Sequence, residues 1–193
     1  MGISKTDREA IAAGDIVERA LENLPNWMYK NKKKGARGKV DQIKNKHEKK
    51  FKDTDSSLWF YTPEAARGKS ITVLIIDEAA FIKDMDTHWK AMYPVVSTGG
   101  KVIVISTVKG YGNWYQVTYH EAQAGKNEIN VIDLDYWEHP QYIGPDWVEK
   151  TKANIGEKGW RQEILRDFLG SGDPYIPIHI LEELDIKTRN DNP

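Results

Sequence analysis

The first clear period along the chain is helical: Ala10, Ala13, Val17, Ala20, Leu21 and Leu24 fall on one stripe of a helix. Thr6 with Glu9 three residues later reads as a capping box, and Pro25 closes the pattern, which predicts a helix over 6–24. The residues "GIS" ahead of it read as the end of a strand, so the chain is expected to begin mid-fold. "KKFKDTDSSLWFYT" predicts a hairpin. Ile71 to Ile76 is an apolar run without alternation, which predicts a strand buried on both faces of a parallel sheet. Helical spacing resumes from about Asp86, with Pro94 allowing a break and Gly99 as a C-cap. "KVIVIST" predicts a second buried strand, "NWYQVTYHEAQAG" a helix ending at Gly125, and "EINVIDLDY" a further strand. Positions 145–169 predict two helices separated near Gly156, and the tail "IPIHILEELDIKTRNDNP" one short helix and a polar end. Helices alternating with buried strands make this an α/β fold, a parallel sheet flanked by helices with a small helical lobe at the C-terminus. The expected plan is a core over 1–135 with a basic insertion at 30–52, a helical lobe over 136–185 and a linker-like tail over 186–193.

Composition narrows the class. At 193 residues, 39% hydrophobic and 30% charged, the chain suits one domain with a small appended lobe. No run approaches the roughly 18 apolar residues of a membrane span, and the start does not resemble a signal peptide. Zero cysteines remove disulfides, thiolate metal sites and cysteine nucleophiles, and fit a reducing, cytosolic compartment. His47, His88, His120, His139 and His179 show no metal-ligand spacing. Trp59, Trp89, Trp114, Trp137, Trp147 and Trp160 read as core or lobe anchors, with base stacking the lesser use. The net charge of −1 is uneven: positions 30–52 hold eleven Lys or Arg against Asp41 and Glu48, so that segment is +9 and the remainder −10. Such a block is either a solvated loop or an electrostatic footprint for a phosphate backbone, with Lys32, Lys33, Lys34 and Arg37 as the candidate contacts.

Positions 66–81, "ARGKSITVLIIDEAAF", contain two halves of a nucleotide site that cannot both hold. A phosphate loop needs a helix after it, so that helix N–H groups face the phosphates, whereas a strand is expected after Ser70. The loop pattern also wants Gly five positions before Gly68, where the chain has Pro63, which has no N–H. "GKS" is therefore a decoy, and Asp77 and Glu78 at the end of an apolar strand are the chemical signal, at the edge where open α/β sheets place ligands. In phosphoryl transfer the first acid holds Mg²⁺ and the second orients and deprotonates the attacking water. The alternative is that both acids simply favour the first turn of a following helix. Ser106 and Thr107 end the neighbouring strand ahead of Gly110 and Gly112, where hydroxyls could sense a γ-phosphate or merely form a turn.

"RGKSITVLIIDEAAFI", "KVIVISTVKGYGNWYQ" and "WRQEILRDFLGSGDPYIP", in this order, resemble the large terminase subunit of tailed bacteriophages, over nearly the whole chain from "ISKTDREA" to about "LEELD". The resemblance implies a partial P-loop NTPase of the ASCE, RecA-like kind that uses ATP and Mg²⁺. It implies Asp77 and Glu78 as the Walker B acids and Ser106 and Thr107 as the motif coupling hydrolysis to movement. Arg67 is implied as an arginine finger, and its place in a Gly-containing turn before the strand would let a guanidinium reach a transition-state phosphate. It further implies double-stranded DNA as substrate, the portal protein and small terminase subunit as partners, and a ring oligomer. The implied location is the host cytoplasm and, transiently, the portal vertex of the procapsid.

Members of that family carry a phosphate loop upstream and a nuclease domain downstream, and neither lies within these 193 residues. "GISKT" resembles the strand and helix start that come after the phosphate loop. The expectation is the second half of an ATPase domain, inactive alone and completed by a segment carrying the Walker A loop. Asp133 and Asp135 share a face of one predicted strand, but two-metal cleavage needs a further converging carboxylate, so they read as surface acids. Two alternatives stand beside the motor: a non-hydrolysing nucleic-acid-binding or assembly module, and another helicase-like ATPase.

Overall fold

The structure, a computed structural model, describes residues 1–25, 42–51, 55–66, 71–97 and 99–168. The chain divides into two compact units, Met1–Ser106 and Thr107–Pro193.

The first unit is a six-stranded sheet with helices. Its elements are β1 (Gly2–Ile3), α1 (Asp7–Glu22), β2 (Gln42–Lys44), β3 (Glu48–Phe51), β4 (Ser56–Tyr61), β5 (Val73–Ile76), α2 (Met85–Val96) and β6 (Lys101–Val104). The strand order is β2-β3-β4-β1-β5-β6. Pairing is antiparallel from β2 to β4 and parallel from β4 through β1 and β5 to β6. The three residues "GIS" thus enter the middle of the sheet.

Thr6 caps α1 as expected: its hydroxyl accepts from the Glu9 N–H at 3.3 Å, and the Glu9 carboxylate accepts from the Thr6 N–H at 3.2 Å. Register fixes the two faces of the sheet. Phe60, Gly2, Ile75 and Ile103 are successive partners on one face, and Tyr61, Ile3, Ile76 and Val104 on the other. α1 lies on the Phe60 face: Gly14 is buried, and a Cβ there would stand 3.2 Å from the Phe60 ring. Ile3, Leu74 and Ile76 are fully buried, but exposure on the Phe60 face climbs from 8% at Phe60 to 38% at Ile75 and 47% at Ile103. The expectation that β5 and β6 are buried on both faces is therefore corrected. Among the described residues of this unit α1 covers the β4 and β1 end of that face, while Ile75 and Ile103 are partly exposed.

The expected hairpin is present as β3 and β4, and β2 extends it to a three-stranded meander. Part of the basic segment is thus folded sheet. Lys49 is buried, with Nζ 2.9 Å from Glu18 and donating to the Asn45 carbonyl at 3.1 Å. Lys50 pairs with Asp55 at 2.9 Å. Lys32, Lys33, Lys34 and Arg37 lie outside the described residues, and so does Arg67. Pro94 does not break α2: the helix runs two residues past it to Val96, and the N–H it lacks costs one bond near the helix end. The cap is Ser97, whose N–H reaches the Tyr93 carbonyl at 2.9 Å.

In the second unit, α3 (Trp114–Gln123) starts at Asn113, whose side chain accepts from the Gln116 N–H, and closes before Gly125 at φ 68°. α4 (Pro145–Gly159) is kinked at Gly156, as the sequence anticipates, and runs into one wider turn over Trp160–Ile164. Trp160 is buried beside Tyr136 and Trp147, while Trp137 is exposed and anchors no core. The strand expected over "EINVIDLDY" is not formed: 129–135 pairs with no strand among the described residues. Its alternation survives without a sheet, leaving Ile132 and Leu134 82% and 74% exposed. The helix expected in the tail lies outside the described residues.

Candidate nucleotide-hydrolysis site

Four parallel strands bring their carboxyl ends to one edge of the first unit, and the predicted acids stand there. Asp77 directly follows β5, and its N–H donates to the Ile3 carbonyl at 2.9 Å, continuing the sheet one residue past the strand. Its Oδ1 accepts from the Glu78 N–H at 3.1 Å, and its other oxygen accepts no hydrogen bond among the described residues. Asp77 is exposed. That leaves a carboxylate oxygen at the strand end for a hydrated Mg²⁺, which takes one or two protein carboxylates and otherwise water and phosphate oxygens. The donor set fits this use without a larger acidic cluster, and the described residues hold no group of three or more metal-ligating side chains.

Glu78 is half-buried and adopts the left-handed conformation, φ 54° and ψ 39°. A non-glycine residue there costs about 1–2 kcal/mol, so the turn is held by its surroundings. The restraint comes from β6. The Ile105 N–H donates to the Ile76 carbonyl at 2.9 Å, the Ala79 N–H donates back to the Ile105 carbonyl at 3.2 Å, and the Ala80 N–H donates to the Ser106 Oγ at 3.0 Å. The Ser106 hydroxyl takes over the sheet's hydrogen bonding where the backbone leaves it, fixing the turn that carries Glu78. Ser106 is therefore brought to the acids, as the sequence anticipates. Thr107 opens the second unit, and its hydroxyl makes no hydrogen bond among the described residues.

Sequence reasoning missed Lys5. It follows β1 at the same edge, with Nζ 5.7 Å above the Phe81 ring and 3.4 Å from Glu9. The available signal was its position just after a strand next to β5. "GKS" lies outside the described residues, and the chain that follows it enters β5 at Val73 rather than a helix. The turn Pro63–Ala66 leads into the Arg67 segment and is tied to α2 by His88 Nε2, 3.3 Å from Glu64.

In the second unit, Asp133 and Asp135 are claimed by a cation. Arg166 Nη1 donates to Asp133 at 2.9 Å, and its Nη2 pairs with Asp135. Tyr119 donates its hydroxyl to Asp133 at 3.0 Å, and burial followed by this acceptor pushes the phenol up to about 12.

Solved structures with a similar fold include large terminases of bacteriophages and their ATPase domains. The large terminase ATPase domain of Thermus phage P74-26 superposes with a TM-score of 0.52 at 20% identity, covering 86% of this chain and 75% of that one. A point mutant of the same domain gives 0.53 with the same identity and coverage. The large terminase of another thermophilic bacteriophage, in complex with ADP, gives 0.55 at 16% identity over 86% of this chain and 39% of that one. At such identities the likeness establishes the fold alone, that of the terminase ATPase domains. The sequence model that matches is a different one: RNA cytidine acetyltransferase NAT10/TcmA, helicase domain, over residues 5–154. That match spans most of the sequence, and the chain belongs to this NAT10/TcmA helicase-domain family.

Proposed function

We propose that this chain supplies the hydrolytic acids of a nucleic-acid-translocating ATPase, of the kind that packages double-stranded DNA into a procapsid. The observation that carries the reading is the Asp77–Glu78 pair at the end of a parallel strand, with Glu78 held in a strained turn pinned by Ser106. Asp77 would hold Mg²⁺ through its free oxygen, and the metal would bridge and neutralise ATP phosphate oxygens. Glu78 would orient water and accept its proton, and Ser106 would keep Glu78 in place. Thr107 would complete the coupling motif, and Arg67 would stabilise charge on the transferred phosphoryl group. Lys32, Lys33, Lys34 and Arg37 would contact the DNA backbone without sequence preference. The order of the sequence motifs and the fold likeness to terminase ATPase domains support the packaging role. With it come the portal protein and small terminase subunit as partners, a ring oligomer, and work in the host cytoplasm and at the portal vertex.

A second reading has an observation of its own. The helicase-domain match over 5–154 favours an RNA-directed, helicase-like ATPase that uses the same acids. The two separate on the nucleic acid that stimulates turnover. ATPase activity of the assembled protein is measured with linear double-stranded DNA and with structured RNA, each with and without Lys32, Lys33, Lys34 and Arg37 changed together to Gln. Stimulation by DNA that the quadruple variant loses supports packaging, stimulation by RNA alone transfers the chain to the helicase reading, and stimulation by neither removes both.

A further inference from the structure

The strand register continues one step past the sheet, and that step lines up three polar side chains. Gly2 and Ile3 of β1 pair with Phe60 and Tyr61 of β4 on one side and with Ile75 and Ile76 of β5 on the other. Two further bonds extend the pairing: the Ser4 N–H donates to the Tyr61 carbonyl at 3.1 Å, and the Asp77 N–H donates to the Ile3 carbonyl at 2.9 Å. Thr62 precedes Pro63, which favours extended backbone there as well. Thr62, Ser4 and Asp77 therefore stand side by side on the Phe60 face, on strands about 4.8 Å apart. On the other side of Asp77 the row ends in Ile105, whose N–H donates to the Ile76 carbonyl. The carboxylate thus has an apolar neighbour toward β6 and a hydroxyl toward β1.

Ser4 is an unusual residue for that place. Among the described residues the buried polar side chains are Ser4, Lys49, His88 and Gln116, and Ser4 is 7% exposed. Lys49 meets Glu18, His88 meets Glu64, and Gln116 accepts from the Gly112 N–H. The Ser4 hydroxyl makes no hydrogen bond among the described residues. A hydroxyl taken from water and left unbonded opposes folding, and alanine would fill the same space without that cost. The described polar atoms that are fully enclosed without a partner are His88 Nδ1 and Arg166 Nε, so the Ser4 oxygen still opens to solvent at the edge. The hydroxyl of half-buried Thr62 is unbonded among the described residues too, and Asp77 adds the oxygen that accepts nothing.

Two neutral hydroxyls and one carboxylate suit a hydrated cation better than a bare one. Mg²⁺ dehydrates reluctantly and keeps several waters, each a strong hydrogen-bond donor. A hydroxyl beside the coordinating carboxylate accepts from such a water, and groups in that outer shell orient the metal and tighten its binding. We infer that Ser4 is a positioning residue for a hydrated divalent cation at Asp77: its hydroxyl holds a water of the cation's shell, and Thr62 steadies that hydroxyl from the far side. The inference rests on the proposed function, and it extends that site from β5 onto β1 and β4.

The test uses the full chain, isotope-labelled and without nucleotide, with Mn²⁺ as the probe. Mn²⁺ shares the preference of Mg²⁺ for carboxylate and water and broadens the amide signals near it. The quantity read is the Mn²⁺ concentration that halves the Asp77 amide signal. Ser4→Ala should raise it about tenfold, the low end of the loss on removing an outer-shell hydrogen bond. Ser4→Thr should restore it, Thr62→Val should raise it by a smaller factor, and Asp77→Asn should abolish the local broadening. Without metal, Ser4→Ala should not lower the urea midpoint, because an unbonded hydroxyl supports nothing in the fold. An unchanged Mn²⁺ midpoint in Ser4→Ala overturns the role of Ser4 and leaves Asp77 as the metal residue. A urea midpoint that falls in Ser4→Ala makes the hydroxyl structural and overturns the inference as well. Absence of local broadening at Asp77 in the unaltered chain removes its metal role, and the hydrolytic reading with it.

Discussion

The two flanks of the one sheet are finished in different ways. On the β2 side the meander is antiparallel, and its charges are spent locally: Lys49 on Glu18, Lys50 on Asp55, and Glu48 on the Trp59 indole N–H at 2.9 Å. Charged residues on strands near an edge discourage a further strand. On the β6 side the strand reads Lys-Val-Ile-Val, and its neighbour β5 presents Ile75 to the same uncovered face. One flank spends the charges of β3 on partners within the first unit, and the other carries apolar area next to the acids. The contrast separates residues that hold the first unit together from residues kept for something else.

The sharpest way to break the comparison is to truncate neighbours on opposite faces of β5 and β6. Leu74→Ala should cost about 2–5 kcal/mol in urea denaturation, because the side chain is fully buried and leaves a cavity. Ile103→Ala should cost under about 1 kcal/mol, since it removes area that is already half exposed. Equal costs would mean that the face is covered in solution and the contrast is false.

Next in size is the closed flank. Lys49→Ala should cost about 1–3 kcal/mol by stranding the Glu18 carboxylate and the Asn45 carbonyl it serves. Lys50→Ala, whose partner Asp55 is exposed, should leave the denaturation midpoint in place. A loss at Lys50 as large as that at Lys49 would remove the distinction between structural and surface charge in the meander.

The smallest effect lies in the second unit. The Tyr119 phenol is raised from 10.0 to about 12, so the folded state holds that proton more tightly than the unfolded chain. Its contribution to stability is complete below the ordinary tyrosine range and is lost as pH rises from about 10 through about 12. Tyr119→Phe should flatten the stability profile in that window. An unchanged slope would mean that the Tyr119–Asp133 hydrogen bond does not persist in solution.

Local signals were legible in the sequence and long-range ones were not. The Thr6 and Glu9 capping box, the kink at Gly156 and the acids at the end of β5 each follow from neighbours a few residues apart. The exposure of Ile75 and Ile103 does not, because an apolar run looks the same whether both faces are covered or one awaits a partner. "EINVIDLDY" has strand alternation but no strand beside it among the described residues, and alternation cannot report a neighbour. At the site, Asp77 and Glu78 were readable by position. The left-handed turn at Glu78 and the Ala80–Ser106 bond that holds it were not, since they join residues far apart in sequence.

The central proposal is that Asp77 and Glu78 are hydrolytic acids that act with a phosphate loop, and steady-state ATPase activity with Mg²⁺ tests it most directly. Three proteins are compared: the chain alone, the chain with the phosphate-loop segment mixed or fused ahead of Met1, and the completed protein carrying Glu78→Gln. The account predicts no turnover from the first and turnover from the second. In the third it predicts a fall of about 10²-fold or more with Mg·ATP binding retained, because an amide cannot accept the proton of the attacking water. Near-normal turnover in the Glu78→Gln protein would contradict the account. So would hydrolysis by the lone chain that Lys69→Ala abolishes with the fold intact, since "GKS" would then be the phosphate loop after all.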